Sequence, residues 1–182
     1  MSVVVAKRRL LLICGSLRSG STNEALLQTV ASLLPDDVTA DVYDGMGRLP
    51  HFNPDDDHDP LPDIVVDLRN RISDATAILV STPEYAGAMP GSLKNLLDWT
   101  VGGVETSDKP AAWINISTSP SQASKTHESL STVLRYTGTN VIEAACVRVP
   151  VDRDAIGVNG VIEDASLRAA ITAAVRTLLD AT

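Results

Sequence analysis

The sequence predicts an α/β fold: a three-layer sandwich of five mostly parallel strands covered by five helices. Three observations predict it. Strand-like and helix-like segments alternate along the chain, with no repeats and no low-complexity linker between them. The strand-like runs are mostly short and continuously apolar, the pattern of strands buried on both faces. Finally, 182 residues with 44% hydrophobic side chains can bury a core, and this length lies near the ~150-residue scale of one domain. The expectation is a single domain over residues 1–182.

The first strand is "RRLLLICG", an apolar run that stops at Gly15. "TNEALLQTVASLL" follows as a helix, with Ala25, Leu26, Val30, Leu33 and Leu34 at helical spacing. "VTADVYD" is the second strand and "DIVVDLRNRIS" the second helix. The third strand, "ATAILVSTP", is stopped by Pro83, which has no N–H for a sheet ladder. After a turn-rich stretch, "GSLKNLLDWTV" places Leu93, Leu96, Leu97 and Val101 on one face of a helix that Ser92 is expected to cap. "KPAAWINIS" is the fourth strand, "SKTHESLSTVLRYT" a helix ended by Gly138, and "NVIEAACVRVPV" the fifth strand. "DASLRAAITAAVRTLLDA" is the last helix, with Asp164 as its N-cap.

Bulk composition narrows the function. Fifteen basic against 23 acidic side chains give a net charge of −8, which argues against a nucleic-acid surface. Any anion must therefore be held by local groups. Cys14 and Cys146 lie far apart without CxxC spacing, so two buried thiols in a reducing cytosol are expected rather than a disulfide framework. "MSVVVAKRR" lacks the order of a signal peptide. No apolar run approaches the ~18 residues of a membrane span. A soluble, cytoplasmic protein without membrane or nucleic-acid partners is expected.

In open parallel sheets ligands bind beyond the carboxyl ends of the strands, near the switch in strand order. The loops after the first, third and fourth strands should converge there. The first, "GSLRSGSTN", comes close to a triphosphate loop but has Ser21 where that loop needs lysine. Gly15 and Gly20 permit a tight turn, and Ser16, Ser19, Ser21, Thr22 and Asn23 offer neutral hydrogen-bonding groups. The helix start adds N–H groups and the positive end of a dipole, and Arg18 adds one fixed charge. This inventory suits a terminal monophosphate and disfavours triphosphate hydrolysis. A plain helix cap uses the same groups, so the loop alone leaves both readings open.

The second loop, "STPEYAGAMPGSLKNLLDW", is constrained by Pro83, Gly87, Pro90 and Gly91, and suits presentation of backbone groups to a flat ligand. Tyr85 is placed to stack on a ring, whereas Trp99 equally suits the core. Glu84 has no Asp, Glu or His within the loop to pair with.

Together the two loops resemble the NADPH-dependent FMN reductase family. "GSLRSGSTN" is similar to its GSxRxxSxN phosphate loop, and "PEYAGAMPGSLKNLLDW" to its PEYNxxxPGxLKNxxDW signature. The resemblance implies a flavodoxin-like fold with strand order 2-1-3-4-5. It implies FMN and NADPH (or NADH) as cofactors, and reduction of flavins, quinones or similar small-molecule electron acceptors by ping-pong turnover. Carried over by position, Ser16, Arg18, Ser21, Thr22 and Asn23 would hold the FMN phosphate. Pro83, Glu84, Tyr85, Ala86 and Gly87 would line the ring, and Ser117, Thr118 and Ser119 would close over its pyrimidine side.

No catalytic side chain or metal is expected, because the flavin carries the chemistry. The family forms dimers, so a homodimer or homotetramer is implied, with the apolar stretch from Tyr85 to Trp99 as its interface. Two departures stand out: Ala86 replaces the family's asparagine, and "STSPSQASKTHESL" replaces a Gly-rich stretch. The alternatives are a flavodoxin-type electron carrier, whose phosphate loop is Thr-rich, and a small NTPase, which needs the missing lysine. "NPDDDHDP", with four aspartates around His58, reads as an exposed loop rather than a metal site. His127 reads as a surface or interface histidine, since the chain contains no G-x-S-x-G elbow.

Overall fold

A computed structural model of the protein describes residues 7–119 and 124–182. The opening "MSVVVA" and the "PSQA" that follows Ser119 lie outside the described residues, and with them part of the signal-peptide and fourth-loop expectations.

The strands are β1 (Arg8–Cys14), β2 (Val38–Tyr43), β3 (Ala77–Ser81), β4 (Pro110–Asn115), β5 (Asn140–Val141) and β6 (Val147–Arg148). The helices are α1 (Thr22–Leu33), α2 (Asp63–Asp74), α3 (Gly91–Asp98), α4 (Ser124–Tyr136) and α5 (Ala165–Leu179). All ladders are parallel, and the sheet runs β2-β1-β3-β4-β5, with β6 also pairing β4. The expected order, 2-1-3-4-5, is the observed one.

The alternation of β1 builds the three layers. Leu10 and Leu12 face a core completed by Leu26 and Val30 of α1 and by Ile171 and Leu178 of α5. Leu11 and Ile13 face the opposite core, with Leu68 of α2, Leu93 of α3 and Leu130 of α4. These four β1 residues are at most 2% exposed, and each such burial contributes roughly 1.5–3 kcal/mol. All five residues of β3 are buried, whereas β2, at the sheet edge, buries only its two ends.

Three expectations need correction. The fifth strand is broken into β5 and β6 by a 3-10 turn, Glu143–Ala145. Val141 pairs with Ala111 and Val147 with Ile114, so the stretch from 141 to 147 is longer than its partner stretch and the surplus folds out. Ala145 then fills the core. Second, Pro90 rather than Ser92 caps α3, without a side-chain bond. The fixed φ of proline presets the chain for the helix, and Ser92 falls inside the first turn. Third, "NPDDDHDP" is not wholly solvated. Asp57 forms a 2.7 Å ion pair with Arg69, both side chains about nine-tenths buried. Asp164 caps α5 as expected, accepting from Ser166 N–H and Leu167 N–H at 2.9 Å.

No described helix is long and apolar enough to cross a membrane. Cys14 and Cys146 are free and half-buried; burial pushes the Cys14 thiol up and that of Cys146 up to about 11, so neither is a reactive thiolate.

Candidate functional site

Gly15 ends β1 by donating its N–H to Ser81 O at 2.8 Å. A Cβ at Gly15 would lie 2.2 Å from Thr82 Oγ1, so only glycine lets the first and second loops approach this closely. The chain then turns through Ser16, whose Oγ accepts the Arg18 N–H at 3.2 Å. Ser21 is the N-cap of α1, its Oγ accepting Glu24 N–H at 3.1 Å. The Glu24 carboxylate reaches back to Gly20 N–H at 2.9 Å, a variant of the capping box. The groups expected to hold an anion are thus the same ones that cap the helix. The N–H groups of Thr22 and Asn23, in the first turn of α1, have no carbonyl within the helix to bond.

Asn23 is buried, and its Oδ1 accepts Ser81 Oγ–H at 2.9 Å. The sequence read Asn23 only as a ligand group; the fold also uses it to tie α1 to β3. The Arg18 side chain is exposed.

In the second loop, Tyr85 and Ala88 exchange both backbone hydrogen bonds, at 2.9 and 3.1 Å. The two residues between them have positive φ, 52° at Ala86 and 75° at Gly87. Glu84 does have partners, supplied by α4 and invisible within the loop: its Oε2 accepts Thr126 N–H at 3.4 Å and Thr126 Oγ1–H at 3.3 Å. This fastens the loop to the first turn of α4, where the helix dipole favours a carboxylate.

His127 is only partly exposed. Its ring stacks on Trp113 at 5.5 Å and 16°, and its Nε2 is sealed from solvent without a partner among the described residues. Desolvation lowers its pKa to about 4, only weakly opposed by the Glu84 charge, so the ring is neutral at physiological pH. Trp99 is fully buried, packs edge-on against Phe52 at 5.1 Å, and donates its indole N–H to Pro50 O at 2.8 Å. The expected interface from Tyr85 to Trp99 is therefore largely core. Of its aromatics Tyr85 remains at the surface, with 55% exposure.

The described part of the third loop, residues 117–119, is held from both sides. Asn115 Oδ1 accepts Ser117 N–H at 2.8 Å, and Ser117 Oγ–H reaches Ser119 O at 3.4 Å. The Arg148 guanidinium donates to Ser117 O at 3.0 Å and to Thr118 O at 2.8 Å.

These loops enclose two adjoining cavities. One, of about 390 Å³, is lined by Thr22, Asn23, Pro83, Glu84, Ala86, Ser117 and Thr118, with Thr82, Asn115, Ile116 and Val151. The other, of about 370 Å³, is lined by Ser16, Arg18, Ser21 and Tyr85, and shares Thr22, Asn23, Pro83, Thr118 and Val151 with the first. Asp152 and Arg153 complete it. Gly87 shapes the turn behind the walls, and Ser119 braces Ser117. Each cavity falls in the roughly 300–1,000 Å³ range of small-molecule sites.

Sequence reasoning missed Arg148, Asp152 and Arg153. The same rule that selected the other loops would have pointed to them, since Arg148 ends the last strand and Asp152 and Arg153 follow its carboxyl end. Among the described residues, no cluster of three or more His, Cys, Asp or Glu side chains is arranged to hold a metal ion.

Comparison with known proteins matches residues 8–154 to the model of a family described as NADPH-dependent FMN reductase. A 2-hydroxy-1,4-benzoquinone reductase of Burkholderia sp is 42% identical over 91 residues, covering 50% of this chain and 49% of that protein. An NAD(P)H-dependent FMN reductase of Pseudomonas aeruginosa is 41% identical over 107 residues, covering 58% and 57%. The chain thus spans about half the length of the curated relatives it matches. Among solved structures, FerB, a flavoenzyme NAD(P)H:(acceptor) oxidoreductase of Paracoccus denitrificans, superposes with a TM-score of 0.82 at 28% identity, covering 95% of this chain and 98% of that one.

Proposed function

Because the chain belongs to the NADPH-dependent FMN reductase family, we propose that it is an FMN-dependent NAD(P)H oxidoreductase that reduces quinones, flavins or similar small acceptors. The observation that carries this reading is the division of the cleft. One end gathers the Ser16 and Ser21 hydroxyls and the Arg18 and Arg153 guanidinium groups; the other is walled by Ala86, Ile116 and Ser117, and the first turn of α1 and Pro83 line both. FMN is divided in the same way, with a phosphate monoester at one end and a planar ring at the other. The donor set fits it: a helix N-terminus with arginine supplies the charge that a net −8 chain otherwise lacks.

On this reading Ser16, Arg18, Ser21, Thr22 and Asn23 hold the phosphate, with Ser21 also capping α1. Pro83, Glu84, Tyr85 and Ala86 line the ring, and Gly87 fixes their turn. Ser117 and Thr118 close the third side, braced by Ser119. When bound, FMN supplies the electron-accepting chemistry, so no protein nucleophile is required. The protein's work is positional. Thr126 fixes Glu84 and with it the backbone of the second loop, and Arg148 fixes the third loop. One cleft serving the nicotinamide donor and the acceptor in turn gives ping-pong turnover. We propose a homodimer or homotetramer in the cytosol.

The test is direct. Purified protein mixed with FMN should shift the flavin spectrum, and addition of NADPH and menadione should consume absorbance at 340 nm. Flavin binding without NADPH consumption would make the protein an electron carrier instead. No flavin binding would overturn the reading altogether.

A further inference from the structure

We infer that Arg153 is a second phosphate-recognising side chain, and that with Arg18 it makes the cleft select a phosphorylated flavin over an unphosphorylated one. This rests on the reading of the cleft as an FMN site and adds a residue to it. Arg153 arrives from the segment after β6, which follows the carboxyl end of β4. Val149 N–H bonds Asn115 O at 2.7 Å and Val151 N–H bonds Ile116 O at 3.0 Å. The 3-10 turn Arg153–Ala155 is thereby delivered beside the first loop, where Arg153 Nη2 donates to Gly20 O at 3.4 Å. Arg18 and Arg153 line the same cavity.

Charge explains why one arginine is insufficient. Glu24 already occupies Gly20 N–H, and Asp152 lines the same cavity. With Arg18 alone the lining would set one guanidinium group against the Asp152 carboxylate, with Glu24 close behind it on Gly20 N–H. Arg153 shifts the lining to a net positive charge, and the N-terminus of α1, worth roughly half a positive charge, adds to it. The guanidinium group, with several N–H groups in one plane, can keep its bond to Gly20 O and still offer a donor to a phosphate oxygen.

A purely structural role would be to staple the first loop through Gly20 O. Arg153→Gln separates the two roles, because its amide retains an N–H donor and loses the charge. Full-length protein freed of flavin would be titrated with FMN and with riboflavin, following quenching of flavin fluorescence. Arg153→Gln should bind FMN roughly 10- to 100-fold more weakly, the loss of one charge-assisted hydrogen bond. Its riboflavin affinity should stay within about twofold, as expected of an exposed substitution. Arg153→Lys should fall between wild type and Arg153→Gln for FMN. Equal losses for both flavins would reduce Arg153 to a staple and overturn the inference. So would unchanged FMN affinity in a variant whose wild type binds FMN. Wild-type protein that binds neither flavin would instead overturn the preceding reading, and this one with it.

Discussion

Ala86 is the position where sequence and backbone disagree most, and replacing it should stabilise the protein. It sits at φ 52° in a two-residue turn whose other central residue, Gly87, is at 75°. Turns with positive φ at both central positions favour Asn-Gly, because a Cβ in the left-handed region crowds the following carbonyl. For alanine that crowding costs roughly 1–2 kcal/mol. Ala86 is exposed, so deleting its methyl group forfeits little burial. Ala86→Gly relieves the crowding but adds unfolded-state entropy worth roughly 0.4–1 kcal/mol. The net gain is therefore between about zero and 1.5 kcal/mol, or a Tm rise of up to roughly 3–6 °C for a chain of this size.

Ala86→Asn, which visits the left-handed region readily and keeps a restricted unfolded state, should gain as much or more. Gly87→Ala is the mirror experiment. Among the described residues its Cβ would meet only Lys125 Cδ at 3.8 Å, so the loss, up to about 1.5 kcal/mol, would be conformational rather than steric. Urea unfolding followed by circular dichroism reads all three as shifts in midpoint at constant m. Destabilisation by Ala86→Gly together with a neutral Gly87→Ala would refute the reasoning.

Three further outcomes are expected. His127 is held neutral, with a folded pKa of about 4 against an ordinary 6.5. Unfolded chains therefore bind more protons between these values, and this contribution to stability is complete above pH 6.5 and is lost as pH falls toward 4. His127→Phe, which keeps an aromatic ring on Trp113, should flatten that part of the stability–pH curve; the same stability difference between pH 4.5 and 7.5 in wild type and variant, read by urea unfolding, would contradict it. Asp57→Ala leaves Arg69 buried with only Trp99 O to bond, and should cost about 3 kcal/mol or more by denaturant unfolding; a loss below about 1 kcal/mol would mean the pair is solvated. Arg18→Ala should weaken FMN binding about 10-fold or more while shifting stability by less than about 0.5 kcal/mol. Equal loss of binding and folding would make the loop a cap alone.

Much of the fold was legible because it is written in local patterns. The unbroken apolar run of β1, the helical spacing of Ala25, Leu26 and Val30, and the strand stop at Pro83 each follow from neighbours in sequence. The fifth strand was not, because "NVIEAACVRVPV" is apolar enough throughout; only pairing with β4, and the room in the core for Ala145, breaks it. The first loop was legible as groups but not as bonds. The Ser21 cap of α1 is a local bond to a residue three positions on, whereas the tie of Asn23 to Ser81 depends on where β3 lies.

The sequence by itself therefore determined the layer architecture, the strand order through family likeness, and the three loops, after the first, third and fourth strands, that meet at the cleft. Periodicity, glycine and proline act over a few residues, so they are present before the chain folds. Tertiary structure alone decided which distant groups join Arg18 and the loops at the cleft. Arg153 meets Gly20 across a separation of 133 residues, Thr126 meets Glu84 across 42, and His127 lies against Trp113. Such contacts are set by parallel pairing and crossover geometry, which bring the carboxyl ends of distant strands together and leave no mark in the local sequence.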